Sequence, residues 1–199
     1  MTVVGRVGQL WVFPVKSMAG TSVESAAVVD GGLAGDRSWA VVDVSGETVT
    51  AADEPRLREV GTRLLDGELR LDVPGAQAGL GAEAAGEALS AWLGRPVHLA
   101  HREGSGFVDV APVHVVSRTS MADAQHAEEC DSCDIGAPRA NLVLDLESSA
   151  PGEQDWVGST VAVGDVQLTV VRRPDHCLGA YADVAVGGTV RVGDPVTRA

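Results

Sequence analysis

Apolar and polar positions alternate with a period of two along much of the chain, which is the pattern of strands with one buried face. In VGRVGQLWVFPVKS the alternation of Trp11, Phe13 and Val15 predicts a strand, and Pro14 predicts an edge or a bulge, with Lys16 and Ser17 at the strand end. SVESAAVVDGGLAGDRSWAVVDV reads as antiparallel meander strands parted by turn pairs at Gly31-Gly32 and Ser45-Gly46, with Asp36 and Arg37 just before the strand SWAVVDV. DEPRL is expected to be a loop, and GTRLLDGELRLDV a hairpin closed by Asp66-Gly67.

The pattern changes at PGAQAGLGAEAAG, residues 74–86, which is rich in alanine and glycine and nearly aperiodic. It reads as a linker into a short helix, GEALSAWLG, stopped by Gly94. A boundary placed here divides the chain into 1–80 and 81–199. Beyond it, RPVHLAHRE and PVHVVS read as strands, and Ser117 as the N-cap of a helix, RTSMADAQHAEE. ANLVLDL, STVAVGDVQLTVV with a turn at Gly164-Asp165, and TVRVGDPV with a turn at Gly193-Asp194 complete a mainly β protein with few helices. A barrel or a pair of barrels fits this better than alternating βα units.

Of the 199 residues 45% are hydrophobic, enough for one large core or two small ones. No window approaches the roughly 18 uninterrupted apolar residues of a membrane span, and the N-terminus lacks the layout of a secretory signal, so no membrane association and a cytoplasmic location are expected. The 28 acidic and 15 basic residues give a formal charge of −13, which argues against nucleic acid and favours a basic protein partner. The three cysteines, Cys130, Cys133 and Cys177, are too few for a disulfide framework.

Cys177 has the most distinctive surroundings, VVRRPDHCLGAYADV. Pro174 cannot donate to a ladder, so the strand is expected to end there and deliver Cys177 to a loop. Cationic neighbours Arg172, Arg173 and His176 would lower the thiol's pKa and favour the thiolate, the nucleophilic and metal-ligating form. The opposing reading is a small buried hydrophobe. In ECDSCD, residues 129–134, Cys130 and Cys133 can clip a metal, form a redox pair, or stand as reduced thiols in an acidic loop; zinc would need two further ligands, with His126 nearest in sequence.

Several blocks together resemble a known family. LWVFPVKSMAGTSVESAAVVDGGLAGDRSWAVVD is similar to the N-terminal β-barrel region of MOSC proteins, those like the C-terminal domain of molybdenum cofactor sulfurase. TVTAADEPRL, PVHVVSRTSMADA, APRANLVLDL, DWVGSTVAVGDVQL, Cys177 and TVRVGDPV follow in the family's order, so that nearly the whole chain is covered. The similarity is to the amidoxime-reducing component and bacterial reductases of N-hydroxylated bases. It implies a molybdopterin-type molybdenum cofactor with Cys177 as the metal-ligating thiolate, soft thiolate and high-valent molybdenum being compatible. It further implies cofactor contacts from Lys16 and Ser17 (PVKS), Arg37 (the DR pair), Asp109, Arg139 and Asn141 (RPN, here RAN) and His176, and carries a family association with pyridoxal phosphate binding.

Departures concern the substrate side. Ala52 stands where eukaryotic reductases commonly have arginine, and Leu178-Gly179-Ala180-Tyr181 replaces a threonine-rich run. The resemblance implies a small-molecule substrate. No glycine-rich dinucleotide fingerprint and no four-cysteine cluster pattern occurs, so a separate flavin or iron–sulfur protein is the expected electron donor to a monomeric reductase. The alternatives are a sulfur carrier or sulfurtransferase-like protein holding a persulfide on Cys177, and a barrel acting as a scaffold.

Overall fold

The computed structural model describes residues 2–104, 106–127, 139–175 and 178–198. In chain order the first half contains β1 (Thr2–Val12), β2 (Thr21–Ser22), β3 (Ser25–Val29), β4 (Gly32–Leu33), β5 (Trp39–Asp43), β6 (Gly61–Leu65), β7 (Glu68–Asp72), α1 (Ala82–Leu93) and β8 (Val97–His101). The second contains β9 (Val113–Ser117), α2 (Arg118–Ala127), β10 (Leu142–Leu146), β11 (Thr160–Val163), β12 (Val166–Arg172), β13 (Ala180–Val186), β14 (Gly188–Arg191) and β15 (Pro195–Arg198). The protein is mainly β, as the alternation predicts, with two α-helices among the described residues. Neither is long and apolar enough to cross a membrane.

Two compact units share the chain. One is built from residues 1–11, 22–34 and 109–199, the other from 12–21 and 35–108.

The first unit contains a closed seven-stranded barrel in the order β10-β9-β13-β12-β11-β15-β1, sealed by pairing of β1 with β10. Alternation explains its filling: Val161 and Val163 on β11, and Val166, Leu168 and Val170 on β12, are buried on every second position. Full burial of each such side chain contributes about 1.5–3 kcal/mol. β9 and β10 run parallel, whereas the other pairings around the barrel are antiparallel. Gly5 permits the β1–β10 contact, since a Cβ there would strike the Asp145 carbonyl. A smaller sheet, β14-β3-β4, belongs to the same unit.

In the second unit β5 pairs with β8 and β6 with β7, and α1 packs on β8 and β7. Its core is centred on Val15, Met18, Val41, Leu57, Leu71 and Leu89, all fully buried. The segment 13–19 threads between the two ladders, with Val15 bridging Trp39 and Ala19 bridging Gly61.

Several expectations hold in detail. Asp66-Gly67 closes the β6–β7 hairpin with both residues at positive φ, Gly94 ends α1 in the left-handed region, and Ser117 Oγ accepts the Ser120 N–H at 3.0 Å as an N-cap. Others are corrected. β1 starts at Thr2 and stops at Val12, leaving Pro14 outside it, and α1 begins at Ala82, inside the stretch expected to be linker. The DEPRL region winds into a 3-10 turn, Pro55–Glu59. β5 does not continue a meander but pairs with β8, while Gly193-Asp194 joins strands that pair elsewhere, β14 with β3 and β15 with β1 and β11. β13 was not predicted.

Candidate functional site

Three of the expected cofactor contacts lie on adjacent backbone segments of the second unit. The Asp36 carboxylate, 5% exposed, accepts the Phe13 N–H at 2.7 Å, and the Arg37 N–H donates to the Phe13 carbonyl at 2.7 Å. Trp39 then donates to Pro14 at 3.0 Å, and Lys16 to the Trp39 carbonyl at 2.8 Å. This lacing ties the segment that carries Lys16 and Ser17 to the segment that carries Arg37. A turn closed by the Met18 N–H on the Val15 carbonyl places Ser17 at φ 70°, and Arg37 stands at φ 49°. Left-handed backbone at two non-glycine residues costs roughly 1–2 kcal/mol each and clusters at functional sites.

The Arg37 guanidinium pairs with the Asp36 carboxylate and sits 5.6 Å above the Phe13 ring. Its carbonyl accepts the Phe107 N–H at 2.9 Å. Lys16, Ser17 and Arg37 are all half-buried. The two paired segments carry an ammonium, a hydroxyl and a guanidinium, donor types that suit phosphate.

In the first unit Asp109 is exposed, Arg139 is half-buried and Asn141 is fully buried. Asn141 ties three strands together. Its Oδ1 accepts the His114 N–H at 3.0 Å, its Nδ2 donates to the Trp11 carbonyl at 3.3 Å, and its backbone exchanges further bonds with both residues at 2.8 Å. The amide thereby fixes the segment that carries Arg139.

His176 and Cys177 lie outside the described residues, as do Cys130 and Cys133. The flanks of Cys177 are described. On one side, Arg172 pairs with Asp175 at 2.6 Å, while Arg173 pairs with Asp155 at 2.9 Å and donates to the Gln154 carbonyl at 2.7 Å. On the other, the Leu178 carbonyl meets His114 Nε2 at 2.7 Å, and Gly179 holds φ 91°. Among the described residues no three His, Cys, Asp or Glu side chains converge to hold a metal ion.

Three buried residues that sequence reasoning did not single out stand out in the structure. Asp36 was noted only as half of the DR pair, yet it joins the two paired segments. His114 stood within PVHVVS without distinction. Glu153 is fully buried in the 3-10 turn Glu153–Trp156, with neither carboxylate oxygen hydrogen-bonded among the described residues.

Residues 4–97 match the MOSC N-terminal beta barrel domain. Over 92% of its length it is 26% identical to human mitochondrial amidoxime-reducing component 1, of which the alignment covers 68%. It is 25% identical to the zebrafish (Danio rerio) component 1 over 94% of its length and 71% of that protein. Mitochondrial amidoxime reducing component 2 of Rattus norvegicus is 40% identical over 78 residues, which span 37% of this chain and only 23% of the rat protein.

Proposed function

We propose that the protein is a molybdenum-cofactor-dependent oxidoreductase that reduces N-hydroxylated compounds with electrons from a separate donor protein. The observation that carries this reading is the backbone lacing of the segments bearing Lys16, Ser17 and Arg37 inside the stretch that matches the MOSC N-terminal beta barrel domain. The similarity to amidoxime-reducing components supplies the substrate class.

A molybdenum–pterin group bound here would supply two-electron redox chemistry at an N–O bond. The balance is one hydroxylamine-type N–OH, two electrons and two protons, giving N–H and water. Lys16 would offer the cofactor's phosphate a compact positive charge, Arg37 a planar fork and Ser17 a hydroxyl, while Asp36 holds the Arg37 fork in one orientation. The resemblance further implies that Asp109, His176 and Arg139, positioned by Asn141, would contact the pterin and that Cys177 would be the thiolate ligand. Electrons come from a flavin or iron–sulfur protein, and at a formal charge of −13 the chain favours a donor with a basic docking patch. The protein acts as a cytoplasmic monomer.

The test is protein made in a host that produces the cofactor. Molybdenum and pterin are expected in the purified chain, lost in the Lys16→Ala/Arg37→Ala double variant. Cys177→Ser is expected to abolish reduction of a hydroxylamine-type substrate while the chain stays folded and retains much pterin. Turnover is expected with reduced viologen and not with NADH alone. A metal-free protein carrying a persulfide on Cys177 would overturn the proposal in favour of a sulfur carrier.

A further inference from the structure

We infer that Gly106 and Phe107 are positioning residues for Arg37, holding its backbone in the left-handed conformation from which the guanidinium is presented to a phosphate. This rests on the reading of Arg37 as a phosphate contact of the cofactor.

Arg37 stands at φ 49°, a region that L-residues leave unless their surroundings prevent it. Backbone bonds grip it at both ends. Its N–H donates to the Phe13 carbonyl at 2.7 Å, and its carbonyl accepts the Phe107 N–H at 2.9 Å. The next residue is tied in the same way: the Arg102 N–H donates to the Ser38 carbonyl at 2.9 Å, and Ser38 Oγ donates to the Gly35 carbonyl at 3.0 Å. Without the Phe107 bond, Arg37 can relax to ordinary right-handed or extended backbone. That rotation would swing its Cα–Cβ bond and carry the guanidinium away from Asp36 and the Phe13 ring.

The chain that supplies the Phe107 N–H is built for a close approach. At Gly106 a Cβ would strike the Arg37 carbonyl and stand 3.1 Å from Ser38 Cα, and φ is 57°. A side chain there would push the Phe107 N–H off its acceptor, so the approach requires glycine. Phe107 is itself anchored, being 5% exposed with the Arg102 guanidinium 4.2 Å from its ring centroid. Arg102 thus holds Ser38 through its backbone and Phe107 through its side chain. Arg37 is fixed in turn through its backbone by Phe107 and through its side chain by Asp36.

The experiment uses the full chain without cofactor, with inorganic phosphate as the probe. Phenylglyoxal modifies arginines, and peptide mapping gives separate rates for Arg37 and for Arg63, which pairs with Asp72 in the same unit and reports general loosening. Gly106→Ala crowds the Arg37 carbonyl. Exchanging Phe107 for phenyllactic acid replaces its N–H by an ester oxygen and keeps the side chain, whereas Phe107→Leu keeps the N–H and loses the ring. In the parent, phosphate is expected to protect Arg37 and not Arg63. In Gly106→Ala and the ester protein, Arg37 is expected to react faster with Arg63 unchanged, and the phosphate concentration for half-protection to rise about tenfold, the worth of one charge-assisted hydrogen bond. Phe107→Leu is expected to stay nearer the parent than either. Parent-like behaviour of Arg37 in the ester protein would overturn the inference, as would Arg37 and Arg63 accelerating together. Should Gly106→Ala fail to fold, the ester protein decides alone; failure of both to fold would show a purely structural role and overturn it too. A parent in which phosphate leaves Arg37 unprotected would sink the phosphate reading, whereas the ratio of Arg37 to Arg63 rates across the variants would still decide whether Gly106 and Phe107 hold Arg37.

Discussion

The Asp36 carboxylate accepts the Phe13 N–H at 2.7 Å and at the same time pairs with the adjacent Arg37 guanidinium. One buried side chain therefore fixes the strand exit that leads to Lys16 and the cation expected at the phosphate. Asp36→Ala is expected to destabilise the protein by about 2–4 kcal/mol, and Asp36→Asn, which can still accept from Phe13, by about 1–2 kcal/mol. Urea denaturation of the two variants measures the difference, and equal losses would mean that the bond accepted from Phe13 contributes nothing beyond the Arg37 pairing.

Asn141 spends both ends of its amide on backbone groups of β9 and β1. Asn141→Ala would leave a buried donor and a buried acceptor without these bonds, at a cost of about 2–4 kcal/mol. Chemical denaturation checks the loss, and amide exchange at His114 is expected to accelerate with it.

Glu153 has the opposite expectation. A carboxyl group buried without hydrogen bonds lowers stability, and Glu153→Met, similar in volume and apolar, is expected to stabilise by about 1–3 kcal/mol. A lower thermal midpoint in that variant would show that the carboxyl contributes to stability.

Asp72 provides a pH dependence. The Gly79 N–H, at 2.7 Å, and then Arg63 hold its carboxylate below the usual range. A depressed folded-state value contributes stability above the unfolded-state value, and that contribution disappears as pH falls through the folded-state one. Asp72→Asn is thus expected to be less stable than the parent at neutral pH, by about 0.5–1 kcal/mol after allowance for exposure, and to converge with it in acid. Unfolding midpoints across that range measure the convergence.

The parts of the fold legible in the sequence are those set by neighbours along the chain. Asp66-Gly67, Gly94, Ser117 and the valine alternation of β11 and β12 each act over a few residues. β13 escaped notice because AYADVAV is rich in small residues and gains its order from strands on both sides, β12 and β9. The parallel β9–β10 contact and the closure by β1 depend on pairings far apart in sequence, as does the bond from His114 to Leu178, 64 residues away. For the site, motif order singled out Lys16, Ser17, Arg37 and Asn141. It did not show that Asp36 joins the segments bearing Lys16 and Arg37, or that Asn141 gives its amide to the sheet.

Because the chain passes between its two units at 11/12, 21/22, 34/35 and 108/109, neither unit is a cassette. No single cut releases one intact, and a truncation at residue 80 would sever the second unit between β7 and α1. Recombination or gene fusion can add to the ends of this protein, but exchanging half of it for a relative's half would require several junctions made at once.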